Sequence, residues 1–216
     1  SDVKKILSPV LVANPAYPVY HIDFSFSPLA LGGSAFAQAL GQLGDETPRV
    51  EEPEYFREAF TAVQELIQRG VLTAGHDISG GGLITALLEM CFPSTKGGLS
   101  VDLTAFPEDD IVKLLFAENP GVLVQTSHPE VLEEVLRDAS IGFARIATPT
   151  ADGRTLSVSY GKKSTLTLDI DAKRDLWYRS SYLMDKYQSG EELAKARYEG
   201  YKNQPLRLTA PKGFTG

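Results

Sequence analysis

"AGHDISGGGLITALLEMCF" (Ala74–Phe92) places a histidine and an aspartate side by side, then a serine and three glycines, directly before an apolar run. The run from Gly80 to Phe92 is apolar nearly all round, the pattern of a helix buried on every side. The preceding "VLTAG" reads as a short strand. His76, Asp77 and Ser79 therefore occupy a strand-to-helix turn, and strand ends in layered α/β structures are where ligands commonly sit.

Two readings of that turn are open from the residues alone. A carboxylate at Asp77 suits Mg²⁺, a hard cation that takes oxygen ligands and keeps phosphates as partners. Ser79 and the N–H groups of Gly80–Gly82 would then offer an anion a hydroxyl and a helix N-terminus. In the plainer reading, Asp77 or Ser79 caps the helix and the glycines ease close packing. "GGG" lacks both the lysine and the spacing of a phosphate-binding P-loop. His76 is either a ligand or general base, or a satisfied structural group.

Outward from this turn, the chain reads as strands and helices in irregular alternation. "VYHIDFSF" (19–26) is a strand with Tyr20, Ile22, Phe24 and Phe26 on one face. "LGGSAFAQ" is a second glycine-to-helix junction, with Ser34 as N-cap and a helix through Leu43. "EEPEYFREAFTAVQELIQRG" is a helix with Pro53 in its first turn and Gly70 at its stop. "GLSVDLTAF", "GVLVQTS", "FARIATPT", "LSVSYG" and "TLTLDI" are strands, the last two joined by a tight Gly161-Lys162-Lys163 turn. "EDDIVKLLFAE", "PEVLEEVLRDA" and "AKRDLWYRSSYLMDKYQ" are helices, and the acidic run 108–110 marks the start of the first. The pattern predicts an α+β domain, a mixed sheet covered by helices. It includes a β-α-β unit of ferredoxin-like kind from "GVLVQTS" to "FARIATPT". Residues 1–18 form a proline-punctuated lead-in, 19–188 the domain, and 189–216 a polar tail or linker with an irregular end at Pro205 and Pro211.

Composition narrows the function classes. The 216 residues carry a net charge of −7, which argues against sequence-independent nucleic-acid binding, since that needs a basic face. The single cysteine, Cys91, excludes an internal disulfide and a cysteine-rich metal site, and points to the cytosol. No apolar run is long enough for a membrane span, and no signal peptide is visible. Ser1 in first place suggests a chain that begins inside a longer polypeptide or has lost a tag. Cys91 reads as a packed hydrophobe, Glu118 and Asn119 as solvated turn residues, and His21 and His128 as structural or exposed. No nucleophile–base–acid set and no zinc spacing are present.

"LALGGSAFAQALGQLGDETPRVEEP", "AGHDISGGGLITALLEMCF", "LLFAENPGVLVQ" and "WYRSSYLMDKY", in this order, resemble the long form of phosphoribosylformylglycinamidine synthase. The resemblance runs from about residue 19 to about residue 190. It is to the C-terminal subdomain of the second of two similar synthase halves, before the glutaminase domain. It implies the fold of the C-terminal domain of aminoimidazole ribonucleotide synthetase. It also implies a share in an enzyme that turns formylglycinamide ribonucleotide, glutamine and ATP into the amidine, glutamate, ADP and phosphate. In that family the motif is His-Asp-Arg-Ser-Asp-Gly-Gly-Leu. Its first aspartate is a Mg²⁺ ligand and its serine a nucleotide contact at a structural ATP/ADP site, and these carry over to Asp77 and Ser79. No catalytic residue is implied in this chain. Ile78 stands where the family has arginine, and Gly80 where it has the second aspartate. The implied partners are the remaining synthase and glutaminase domains of the same polypeptide, against which the amphipathic faces and Tyr20, Phe24 and Phe26 are candidate contacts. The alternatives are another enzyme of the same fold, such as aminoimidazole ribonucleotide synthetase or selenophosphate synthetase, and a stand-alone nucleotide-binding or dimerisation module.

Overall fold

The computed structural model describes residues 5–161 and 163–200. The chain divides into two compact units, Ser1–Arg174 and Asp175–Gly216. The division falls within a helix.

The first unit is built on a mixed sheet of seven strands: β1 (Val19–Asp23), β2 (Leu72–Asp77), β3 (Gly98–Asp102), β4 (Gly121–Thr126), β5 (Phe143–Thr150), β6 (Thr155–Tyr160) and β7 (Lys163–Asp169). Their spatial order is β2-β4-β1-β5-β3-β6-β7. All neighbours are antiparallel except β3 and β6. The helices of this unit are α1 (Ala35–Ala39), α2 (Pro53–Gln68), α3 (Gly82–Cys91), α4 (Ile111–Phe116) and α5 (Pro129–Asp138).

The sheet order contains a ferredoxin-like core. Strands β4 and β5 are both antiparallel to β1, which lies between them, so β4-α5-β5 is a split β-α-β unit. Likewise β1 and β2 flank β4, and α2 joins them. Helices α2 and α5 cover one face: Ala59, Val63, Leu66, Leu132 and Leu136 pack on Tyr20, Ile22 and Val124. Helices α3 and α4 cover the other face, where Leu83, Leu87, Met90 and Leu115 pack on Val19, Leu123 and Val101. Apolar residues on both faces of β1 and β4 follow from this, since neither face meets water. A bulge between Leu72 and Ala74 lets two residues of the same parity serve opposite faces, Leu72 the first and Ala74 the second.

The lead-in is held to the domain by side chains. Gln125, fully buried in β4, accepts from the Val12 N–H at 2.9 Å and donates to the carbonyls of Val12 (2.8 Å) and Tyr17 (3.0 Å).

Several expected elements end sooner than their apolar patterns suggest. Strand β1 stops at Asp23 because its carboxylate accepts the N–H groups of Ser25 (3.0 Å) and Phe26 (2.9 Å), turning the chain out of the sheet. Phe26 is consequently 58% exposed at φ 49°, while Tyr20 and Phe24 are core rather than candidate contact residues. Asp102 ends β3 in the same way by accepting from Thr104 at 3.0 Å. Helix α1 runs only to Ala39, because Gly41 takes a left-handed φ of 68°. Phe60 of α2 is half exposed.

In the second unit, the remainder of α6 (Ile170–Ser189) is followed by α7 (Glu191–Gly200), so the first part of the polar tail is helical. Rings of Tyr182 and Tyr198 stack at 4.7 Å, and Tyr198 Oη donates to the Asp175 carbonyl at 2.8 Å. Lys162, the centre of the expected β6–β7 turn, and Pro205 and Pro211 lie outside the described residues. Among the described residues no helix is long and apolar enough to cross a membrane.

Candidate functional site

Because β1 and β2 run parallel, their C-terminal ends share one edge of the sheet with the N-terminal end of β4. That edge gathers Asp23, Asp77 and the segment Glu118–Gly121. Asp77 is the last residue of β2, and its carboxylate is 75% exposed. His76 Nδ1 lies 2.7 Å from the Asp77 carbonyl oxygen, and His76 Nε2 lies 3.4 Å from Glu89 on α3. His76 is thus held between its neighbour and the helix that follows.

The plainer capping reading does not hold. Gly81 is the N-cap of α3, at φ 91°, and no side-chain cap comes from Asp77 or Ser79. Neither does the turn form an open anion cradle. Glu118 Oε1 accepts the Gly81 N–H at 2.8 Å, and the Ser79 carbonyl accepts the Gly82 N–H at 3.0 Å. The helix N-terminus therefore already has its negative partner, a carboxylate of the same chain. The Ser79 hydroxyl makes no hydrogen bond among the described residues, and Ser79 is exposed at the turn.

The two glycine-to-helix junctions come together here. The oxygen of Glu118 that binds Gly81 also accepts the Ala35 N–H at 2.8 Å, at the start of α1. Ser34 caps α1 as expected, accepting from Ala37 at 3.2 Å. The amides of Gly32 and Gly33 are taken by the carbonyls of Glu46 (2.6 Å) and Leu43 (2.7 Å), so this junction is a turn with an N-cap. Gly32 has no room for a side chain: a Cβ would lie 2.2 Å from the Glu46 oxygen.

Glu118 and Asn119 are not solvated turn residues. Asn119 is 5% exposed. Its oxygen accepts the Ala30 N–H at 3.1 Å, and its amide donates to Ser27 Oγ (3.1 Å) and the Pro28 carbonyl (3.0 Å). The next carbonyls continue the pattern, Pro120 accepting from Phe24 at 3.0 Å and Gly121 from Ile78 at 2.9 Å. One short segment thus ties down both loops at this edge. Its polar residues before a strand carry no periodic signal; only the capacity of Glu and Asn to satisfy loop amides pointed to it.

Ile78 packs on the α3-side core. Gly80 faces open space, with nothing within 4 Å of a Cβ, so the aspartate of the family motif would fit there. Beside the turn, His21, Asp23, Phe106, Glu108 and Phe143 line a cleft of about 490 Å³. The His21 ring sits 5.2 Å from Phe106, and burial lowers its pKa to about 4, against a smaller opposing pull from Asp23. Cys91 is buried at the end of α3 and its thiol is pushed up to about 12 by burial, fitting a packed hydrophobe. Asp110 caps α4, accepting from Val112 at 2.9 Å, as the acidic run implied. His128 precedes Pro129 at the start of α5, its Nδ1 2.9 Å from Ser127 Oγ. Among the described residues no group of three or more His, Cys, Asp or Glu side chains is placed to hold a metal. Asp77 offers one exposed carboxylate, the kind of hard oxygen ligand that Mg²⁺ takes.

This fold, with an exposed carboxylate at the end of β2 and a glycine turn into a buried helix, defines a class. Residues 24–157 match the family described as AIR synthase related protein, C-terminal domain, and the chain belongs to that family. Human phosphoribosylformylglycinamidine synthase is 35% identical over 179 residues, covering 81% of this chain and 13% of that protein. Its probable counterpart in Arabidopsis thaliana, described as chloroplastic/mitochondrial, is 31% identical over 204 residues, covering 93% of this chain and 14% of the relative. The chain therefore spans about one seventh of these relatives. A solved structure of Thermotoga maritima PurL complexed with ATP shares the fold, with a TM-score of 0.60 and 16% identity over 78% of this chain and 27% of that one.

Proposed function

We propose that this chain is the C-terminal subdomain of the second synthase half of a long phosphoribosylformylglycinamidine synthase. In that whole polypeptide, formylglycinamide ribonucleotide, glutamine and ATP give formylglycinamidine ribonucleotide, a C–N ligation of purine biosynthesis. The observation that carries this reading is the 35% identity to the human enzyme over 179 residues. The chain completes the synthase core, is inactive alone, and contributes Asp77 as a Mg²⁺ ligand and Ser79 as a nucleotide contact of a structural ATP/ADP site. The exposed carboxylate of Asp77 and the unused hydroxyl of Ser79 support those roles. Among the described residues no group of three His, Cys, Asp or Glu side chains is placed to hold a metal, so the proposed site draws its remaining ligands from the rest of the polypeptide. When bound there, Mg²⁺ neutralises phosphate charge. Residues beyond 188 lead towards the glutaminase domain, and the reaction is placed in the cytosol.

The test uses the full-length enzyme, with nucleotide released by acid and measured by chromatography. Wild type is expected to retain a nucleotide that survives turnover, and Asp77→Asn to lose it. A stand-alone nucleotide module, by contrast, predicts tight Mg-ATP binding by the isolated chain, abolished by Asp77→Asn. That result would overturn the proposal.

A further inference from the structure

We infer that Glu118 is a positioning residue for the turn that carries Asp77 and Ser79, acting through Gly81; the inference rests on the nucleotide-site reading above. The turn 78–81 is fastened at both ends to the segment 118–121. At one end the Ile78 N–H donates to the Gly121 carbonyl at 2.9 Å. At the other, the Gly81 N–H donates to Glu118 Oε1 at 2.8 Å. Asp77 and Ser79 lie at and within these fastenings, so their separation and direction are set by a segment from another part of the chain.

The second fastening needs a side chain because of the backbone. Gly81 is left-handed at φ 91°, and a Cβ there would meet Thr85 Oγ1 at 2.3 Å. Glycine is the one residue that fits without strain, and it brings the largest conformational freedom. Left unfastened, such a residue would let Ser79 and Gly80 sample many orientations. The same Oε1 oxygen accepts the Ala35 N–H at 2.8 Å. Rings of Phe36, on α1, and Phe116, two residues before Glu118, stack at 4.6 Å, a further contact between α1 and the segment that carries Glu118. Glu118 is therefore neither a free carboxylate nor placed as a metal ligand. It fills the position at the start of α3 that a ligand phosphate would otherwise take, leaving the Ser79 hydroxyl and the Gly80 amide to face the nucleotide.

Both amides bind one oxygen, and that fixes the test. Glutamine keeps an acceptor oxygen at Oε1 without the charge; alanine removes it; aspartate is too short to reach both amides. In the full-length enzyme, stripped of metal and reloaded, the readout is the Mg²⁺ concentration for half-maximal nucleotide retention, with melting of the stripped protein measured in parallel. Glu118→Ala is expected to raise that concentration about tenfold or more, the worth of one hydrogen bond to a charged acceptor. Glu118→Gln should restore it to within about threefold of wild type, the remainder reflecting the lost charge. Should Glu118→Ala fail to fold, Glu118→Asp takes its place with the same expectation. Wild-type Mg²⁺ dependence in the alanine or aspartate variant would overturn the inference while leaving the Asp77 reading intact. A glutamine variant as defective as alanine would also overturn it, since the group would then act by charge. Retention of nucleotide by Asp77→Asn would instead refute the site itself, and this inference with it.

Discussion

Replacing Asn119 with alanine tests whether the site edge is held by buried hydrogen bonds rather than by apolar packing. Asn119 makes bonds to Ala30, Ser27 and Pro28 at 3.0–3.1 Å from a 5% exposed position. Their loss is not uniform. Ala30 is itself buried at 7%, so its N–H would be left without a partner, at a cost of about 1–3 kcal/mol. Ser27 and Pro28 are less buried and regain water, so each of those bonds costs about 0.5–1 kcal/mol. The expected loss is about 2–5 kcal/mol, read by urea unfolding of the chain with the slope unchanged. In a chain of this size it lowers the melting temperature by roughly 4–20 °C. Asn119→Asp is nearly isosteric but loses both donors and sets a carboxylate oxygen against the Pro28 carbonyl, so it should be at least as damaging. A loss below about 0.5 kcal/mol in Asn119→Ala, the range of an ordinary surface change, would refute the reasoning. So would an Asn119→Asp variant as stable as wild type.

Two further outcomes are expected. The His21 pKa is about 4 in the fold against an unperturbed 6.5, so between these values the unfolded chain binds more protons. Stability should thus fall as pH drops through 6.5 and flatten below 4, by roughly 3 kcal/mol at most; urea midpoints at pH 7 and pH 5 read this, and His21→Gln should flatten that part of the profile. At Gly82, φ is 71° and a Cβ would lie 2.7 Å from the Phe116 carbonyl carbon. Gly82→Ala should therefore cost more than the roughly 1–2 kcal/mol of the left-handed conformation alone, whereas Gly80→Ala, facing open space, should be close to neutral in the same unfolding assay.

The fold was largely legible along the chain, because period-two and helical apolar patterns report which faces lose water. The buried helix after the glycine turn, the Pro53 start of α2 and the β4-α5-β5 unit follow that signal. The misplaced ends have local polar causes: Asp23 and Asp102 turn their strands out by accepting loop amides, an effect with no periodicity. Helix α7 was missed because it is polar almost throughout, with Ala194 its buried residue.

By itself the sequence determined a mixed sheet between helices, the position of Asp77 and Ser79 in a strand-to-helix turn, and the likeness to the synthase family. Local composition suffices for these, since each depends on neighbours within one or two turns of chain. Only the tertiary structure decided that the start of α3 is filled by Glu118, that one oxygen joins two glycine junctions, and that Asn119 is buried beneath their loops. Those outcomes depend on residues some 37 to 92 positions apart meeting at one sheet edge. Which polar group satisfies which buried amide is a matter of proximity in the folded chain, and nothing in the spacing of Glu118 or Asn119 expresses it.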